Sequence, residues 1–138
     1  MKIKNIDIFN VKEPLQRLSQ GLMTVKLSFA VFKLAKELAE INTVITETRE
    51  KLIKQYGSED PAKQNYWRVE QFLLEPVDSD SNQMKQVDNP NWEPFAEAFN
   101  ELMEEEVEIE YEKLTLPETL DISPADIALL SVFFEVPE

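Results

Sequence analysis

Between Thr24 and Tyr56 the residues Val31, Leu34, Leu38, Ile41, Ile45 and Leu52 recur at intervals of three and four, and only Thr48 breaks the stripe. That period belongs to a helix with one buried face. At about 1.5 Å per residue such a helix spans a small domain from end to end, so the remaining elements have to be arranged along it. Gly57 follows directly and is expected to close the helix as a left-handed cap.

The flanking segments are shorter. KIKNIDIF, residues 2–9, reads as a strand from the β-branched Ile3 and Ile8. Pro14 then marks a short helix carrying Leu15 and Leu18. Residues 58–90 mix turn chemistry (SEDPAK, PVDSDSN, DNPN) with aromatic and β-branched stretches (YWRVEQFLL, QMKQV), which predicts a β-hairpin insertion, with a mobile arm as the alternative. Asn91 caps a second helix with Trp92, Phe95, Phe99 and Leu102 on one face and Glu93, Glu97, Glu101 and Glu104 on the other, and this helix is expected to pack antiparallel on the long one. VEIEYEKLTL alternates strictly, as a half-buried strand does, and its natural mate is the N-terminal KIKNIDIF. Ser123, Pro124 and Asp126 open a last helix into ADIALLSVFFEV. The pattern predicts one α+β domain over residues 1–138: an antiparallel helical hairpin built on the long helix, a small and mostly antiparallel sheet, and the insertion at 58–90.

Composition removes most chemistry. The chain has no cysteine and no histidine, so disulfides, thiolate nucleophiles, His-based triads and Cys/His zinc sites are excluded. Paired carboxylates are plentiful, but nothing places a pair in an apolar cleft, and no enzyme activity or cofactor is expected. Asp78, Asp80 and Asn82 carry the oxygen spacing of half a calcium loop, yet Gln83 stands where such a loop needs glycine and Asn89 where it needs glutamate; the segment reads as a turn. The first residues lack the apolar core of a secretory signal, and IALLSVFFEV is about half a membrane span, so a soluble cytosolic protein is expected.

Charge is the distinctive feature. The net charge is −13, but residues 1–58 hold ten Lys/Arg and six Asp/Glu while residues 59–138 hold four and twenty-one. The densest stretch is EEEVEIEYE. On a strand, Val107, Ile109 and Tyr111 face the core, and Glu106, Glu108, Glu110 and Glu112 form a ladder with steps of roughly 6.8 Å. With Glu104 this makes a polyanionic strip suited to a basic groove on a partner, or a plain solvated face guarding an edge strand. Lys2 and Lys4 are placed to meet it across strands. Tyr66 and Trp67 offer aromatic anchors for a protein partner, or pack on their own core. The tail residues Phe133 and Phe134, in a segment apolar all round, have to be buried in the fold, in a dimer or in a partner. Direct nucleic-acid binding is disfavoured, because the bases of the long helix alternate with acids and the overall field repels phosphate.

MKIKN, KLSFAVFKLAKELAEI, REKLIKQYG, FNELMEEEVEIEYEKL and ISPADIALLSVFFE, in that order, resemble a group of small proteins encoded by tailed phages and prophages of Gram-positive bacteria. The resemblance covers most of the chain and is weakest over 58–90. It carries no catalytic residues. It implies a phage origin and a small helical-hairpin protein, and leaves its job open between the virion, gene control and host defence. Together with the acidic strip and the apolar tail, two roles are expected of a protein working in the host cytoplasm. One is a non-enzymatic accessory protein that binds and inhibits a host defence complex through its acidic surface. The other is a structural or assembly protein acting by oligomerisation or by docking its apolar C-terminal segment.

Overall fold

The computed structural model of the protein describes residues 1–78 and 82–136. In chain order the elements are β1 (Lys2–Lys4), α1 (Asn5–Ser19), α2 (Val25–Tyr56), β2 (Ser58–Glu59), β3 (Trp67–Arg68), β4 (Phe72–Pro76), β5 (Met84–Asp88), α3 (Trp92–Glu104), β6 (Glu106–Glu108), β7 (Leu114–Thr115), α4 (Pro124–Leu130) and β8 (Phe134–Glu135). The architecture is α+β, with strands joined only in pairs. The chain divides into two compact units, Met1–Ile45 with Met103–Glu138, and Thr46–Leu102.

In the first unit the strand expected over residues 2–9 is three residues long, and the backbone turns helical at Asn5. The reason lies in spacing. Ile8, Val11, Leu15 and Leu18 are all buried, and their steps of three, four and three put them on one helical face. That stripe outweighs the β-branched character of Ile3, Ile6 and Ile8. Pro14 sits deep inside α1 rather than at its start. The first amide of α1 is satisfied by its neighbour: Asn5 N–H donates to the Glu105 carbonyl at 2.9 Å.

The long helix begins where the sequence predicts. The Thr24 hydroxyl accepts from the Leu27 amide at 3.2 Å, a side-chain cap on the first turn. Val31, Leu34, Leu38 and Ile45 are buried and face α1, which folds back along α2. Asn42, also buried, joins the two by donating from Nδ2 to the Ile8 carbonyl at 3.2 Å. A polar residue on the core stripe is tolerated only with such a partner.

The C-terminal segment closes this unit. Ser123 caps α4 by accepting from the Asp126 amide at 3.2 Å. The helix stops at Leu130, earlier than the apolar run suggests, and the chain re-enters as β8, paired in parallel with β7. Leu130, Phe133 and Phe134 are at most 1% exposed, and the Phe134 ring meets Tyr111 edge-on at 6.2 Å.

In the second unit, β2 pairs with β3 and β4 with β5, both antiparallel. The predicted hairpin is therefore present over 72–76 and 84–88, while Tyr66 and Trp67 lie outside it, Trp67 on the separate β2–β3 pair. Tyr56 meets Phe95 edge-on at 6.4 Å, and Phe95 stacks with Phe99 at 6.0 Å, so the end of α2 and the aromatic face of α3 share a cluster.

Gly57 does end α2, but not by the expected left-handed cap: no glycine has a positive φ. Its requirement is room. A Cβ there would fall on the carbonyl oxygen of Arg68 in β3 and crowd that of Ile53. Gly57→Ala is expected to cost about 1–3 kcal/mol through the forced backbone shift, read as a lowered urea midpoint; an unchanged midpoint would contradict the close approach.

Candidate protein-docking site

The acidic row is positioned by β1 and β6. Their antiparallel register sets Lys2 opposite Glu108, Ile3 opposite Val107 and Lys4 opposite Glu106. Pairing runs on beyond the strands, since Ile109 N–H donates to the Met1 carbonyl at 2.9 Å. The regular strand ends at Glu108, shorter than the alternation implies. The alternation of burial nevertheless continues. Ile109 is buried, Val107 and Tyr111 are half-buried, and Glu104, Glu106, Glu108, Glu110 and Glu112 are exposed.

Two members of the row are engaged by the chain itself. Lys4 Nζ meets Glu104 at 2.8 Å and the Met1 ammonium meets Glu108 at 2.8 Å. Among the described residues, Glu106, Glu110 and Glu112 take part in no ion pair within 4.0 Å. The strip is thus half neutralised, and what remains open is a set of three carboxylates. Glu93, Glu97 and Glu101, which the sequence pattern places in line with them, belong to the second unit.

The hydrogen bond from the Met1 ammonium, followed by its charge, holds the Glu108 carboxyl below the ordinary glutamate value. A depressed folded-state pKa contributes stability above the unfolded value, which is lost as pH falls through the folded one. Glu108 is therefore expected to titrate at lower pH than an ordinary glutamate in a carboxyl-carbon NMR experiment. Acetylating the α-amino group should move it back, and an unmoved titration would contradict the bridge. Beneath the strip, burial pushes the Tyr111 phenol up to about 12. Its hydroxyl has no hydrogen-bond partner among the described residues, and the nearby Leu114 backbone offsets only part of the rise.

The other expected contacts fall elsewhere. Phe133 and Phe134 are 0% and 1% exposed and offer no surface to a partner; their place is the core of the first unit, because the turn after α4 points both rings inward. Tyr66 and Trp67 lie in the second unit. Tyr66 is exposed, with Lys63 Nζ 5.0 Å from its ring centre. Trp67 is half-buried and lines an open cleft of about 500 Å³ with Arg49, Ile53, Trp92, Phe95 and Phe99. Arg68 beside it is held by Glu70 at 3.0 Å and Asp60 at 3.9 Å. Reading the sequence alone misses this cleft: the aromatic face of α3 is visible as a pattern, but nothing local tells that β3 comes to lie against it.

A second feature missed in the sequence is the bond between Arg17 and Asp126. The guanidinium donates to both carboxylate oxygens at 2.7 Å each, tying α1 to α4. It holds the Asp126 carboxyl below the usual range, against the opposing effect of burial. The partners are more than a hundred residues apart, and no local signal links them.

Among the described residues no group of three or more acidic side chains could hold a metal ion, and no helix is long and apolar enough to cross a membrane. Part of the calcium-like stretch, Ser79, Asp80 and Ser81, lies outside the described residues. Comparison of the chain with family models, curated proteins and solved structures finds no match.

Proposed function

We propose that the protein is a non-enzymatic accessory factor that docks on another protein through Glu106, Glu110 and Glu112. The partner is a basic surface of a host defence complex, which the bound factor blocks. One observation supports this most: those three carboxylates stay exposed and unpaired on a ribbon whose alternate residues are anchored inward. Such a strip raises the encounter rate with a positively charged groove and favours it over other surfaces. Tyr66, exposed and aromatic, is a candidate second contact. The competing role in a phage particle loses its C-terminal contact, since Phe133 and Phe134 are buried in the core of the first unit, and retains oligomerisation as its means.

The test is affinity capture with the tagged protein from infected host cells. Recovery of a host nuclease or immune protein, lost when the three glutamates are changed to lysine, supports blocking of a defence complex. Recovery of capsid or tail proteins alone ends it.

A further inference from the structure

The first unit exposes a second surface, on the side of α2 opposite its core stripe. Val25, Phe29 and Phe32 are 87%, 63% and 66% exposed, and their steps of four and three align them on one face of α2; Leu22, 93% exposed, lies just before the helix. Four large apolar side chains left open in a row mark a contact rather than ordinary scatter. Lys26, Lys33 and Lys36 flank the row, and none of them takes part in an ion pair among the described residues. Lys33 Nζ lies 5.8 Å from the Phe29 ring centre. From Pro14 to Lys36 the sequence has no acidic residue at all. The face is apolar and cationic in a strongly acidic protein.

The second unit carries its chemical complement. In strands β4 and β5 every residue is exposed except the half-buried Val87. The register sets Phe72 opposite Asp88, Leu74 opposite Gln86 and Pro76 opposite Met84, so Phe72, Leu74 and Met84 share one face. They are 42%, 69% and 52% exposed. Residues 71–89 hold four acidic residues and one lysine. A two-stranded ribbon with one apolar face open is marginal in water and gains from packing on a helix. Pairing the α2 face with its own copy would set Lys26 and Lys33 against like charges, whereas the acidic ribbon supplies both apolar cover and opposite charge.

We infer that the protein self-associates, the β4–β5 hairpin of one copy lying on the Val25–Phe32 face of α2 in another. This contact uses neither Glu106, Glu110 nor Glu112, so it stands or falls separately from the docking role above.

Sedimentation velocity on the full chain, from low to several hundred micromolar, tests it. The wild type is expected to form larger species with rising concentration, and to lose them at high salt. Phe29→Glu with Phe32→Glu, and separately Phe72→Lys with Leu74→Lys, should each weaken association tenfold or more, with far-UV circular dichroism unchanged because all four residues are exposed. Mixing the two variants should restore association, since one intact helix face and one intact hairpin remain. A wild type that stays monomeric throughout overturns the inference. So does a hairpin variant that associates like the wild type, or a mixture that stays monomeric.

Discussion

Phe133→Ala is expected to lower the stability of the folded state by about 3–5 kcal/mol, the range for removing a fully buried aromatic ring. Natural domains of this size are stable by about 5–15 kcal/mol, so the substitution removes a large share of the total. The size follows from position. Phe133 is 0% exposed and neighbours Leu130, also 0%, and Phe134, at 1%, in the core of the first unit. Urea unfolding reads the effect directly. The same substitution distinguishes two roles for the C-terminal segment: a side chain reserved for a partner would leave the unfolding midpoint where it is, while a core side chain shifts it strongly.

The second large effect is on binding. Changing Glu106, Glu110 and Glu112 together to lysine replaces three negative charges by three positive ones at exposed positions without ion pairs. Against a basic surface such like-charge opposition costs several kcal/mol, so affinity for the partner should fall about a hundredfold or more. Stability should change by no more than about 0.5 kcal/mol per site, as at other exposed positions. Glu104 and Glu108 behave differently. Their reversal sets a lysine against Lys4 or the Met1 ammonium, so it disturbs the β1–β6 edge itself and is a poorer probe of docking.

Much of this architecture is legible in the residue pattern. The three-and-four spacing from Val31 to Ile45 locates α2 and its buried face. The alternation from Glu106 to Glu112 survives in the burial of Val107, Ile109 and Tyr111, even though the regular strand is only three residues long. The pairing of KIK with VEIE follows from complementary charge. Where the pattern misleads, a longer-range condition overrides a local one. Ile3, Ile6 and Ile8 favour a strand, but Ile8 belongs to a helical stripe completed by Val11, Leu15 and Leu18, and Pro14 hides it by looking like a helix start. Gly57 looks like a left-handed cap and is instead a gap for the Arg68 carbonyl. Phe133 and Phe134 read equally as core or contact, because composition does not tell what an apolar segment is buried against. The Arg17–Asp126 bond and the cleft around Trp67 join residues distant in sequence, and distance leaves no periodic trace. The strip itself is half legible: its outward face is a matter of alternation, while the loss of Glu104 and Glu108 to internal cations depends on where the chain's first residue comes to rest.

The most direct test of the docking strip is the salt dependence of the captured complex. Surface charges are screened within about 10 Å at 0.1 M and about 3 Å at 1 M ionic strength. A complex held by Glu106, Glu110 and Glu112 is therefore expected to be retained at low salt, to dissociate steeply as salt rises, and to be absent at every salt concentration for the triple lysine variant. A complex that survives high salt unchanged, or that forms equally well with that variant, would contradict the account.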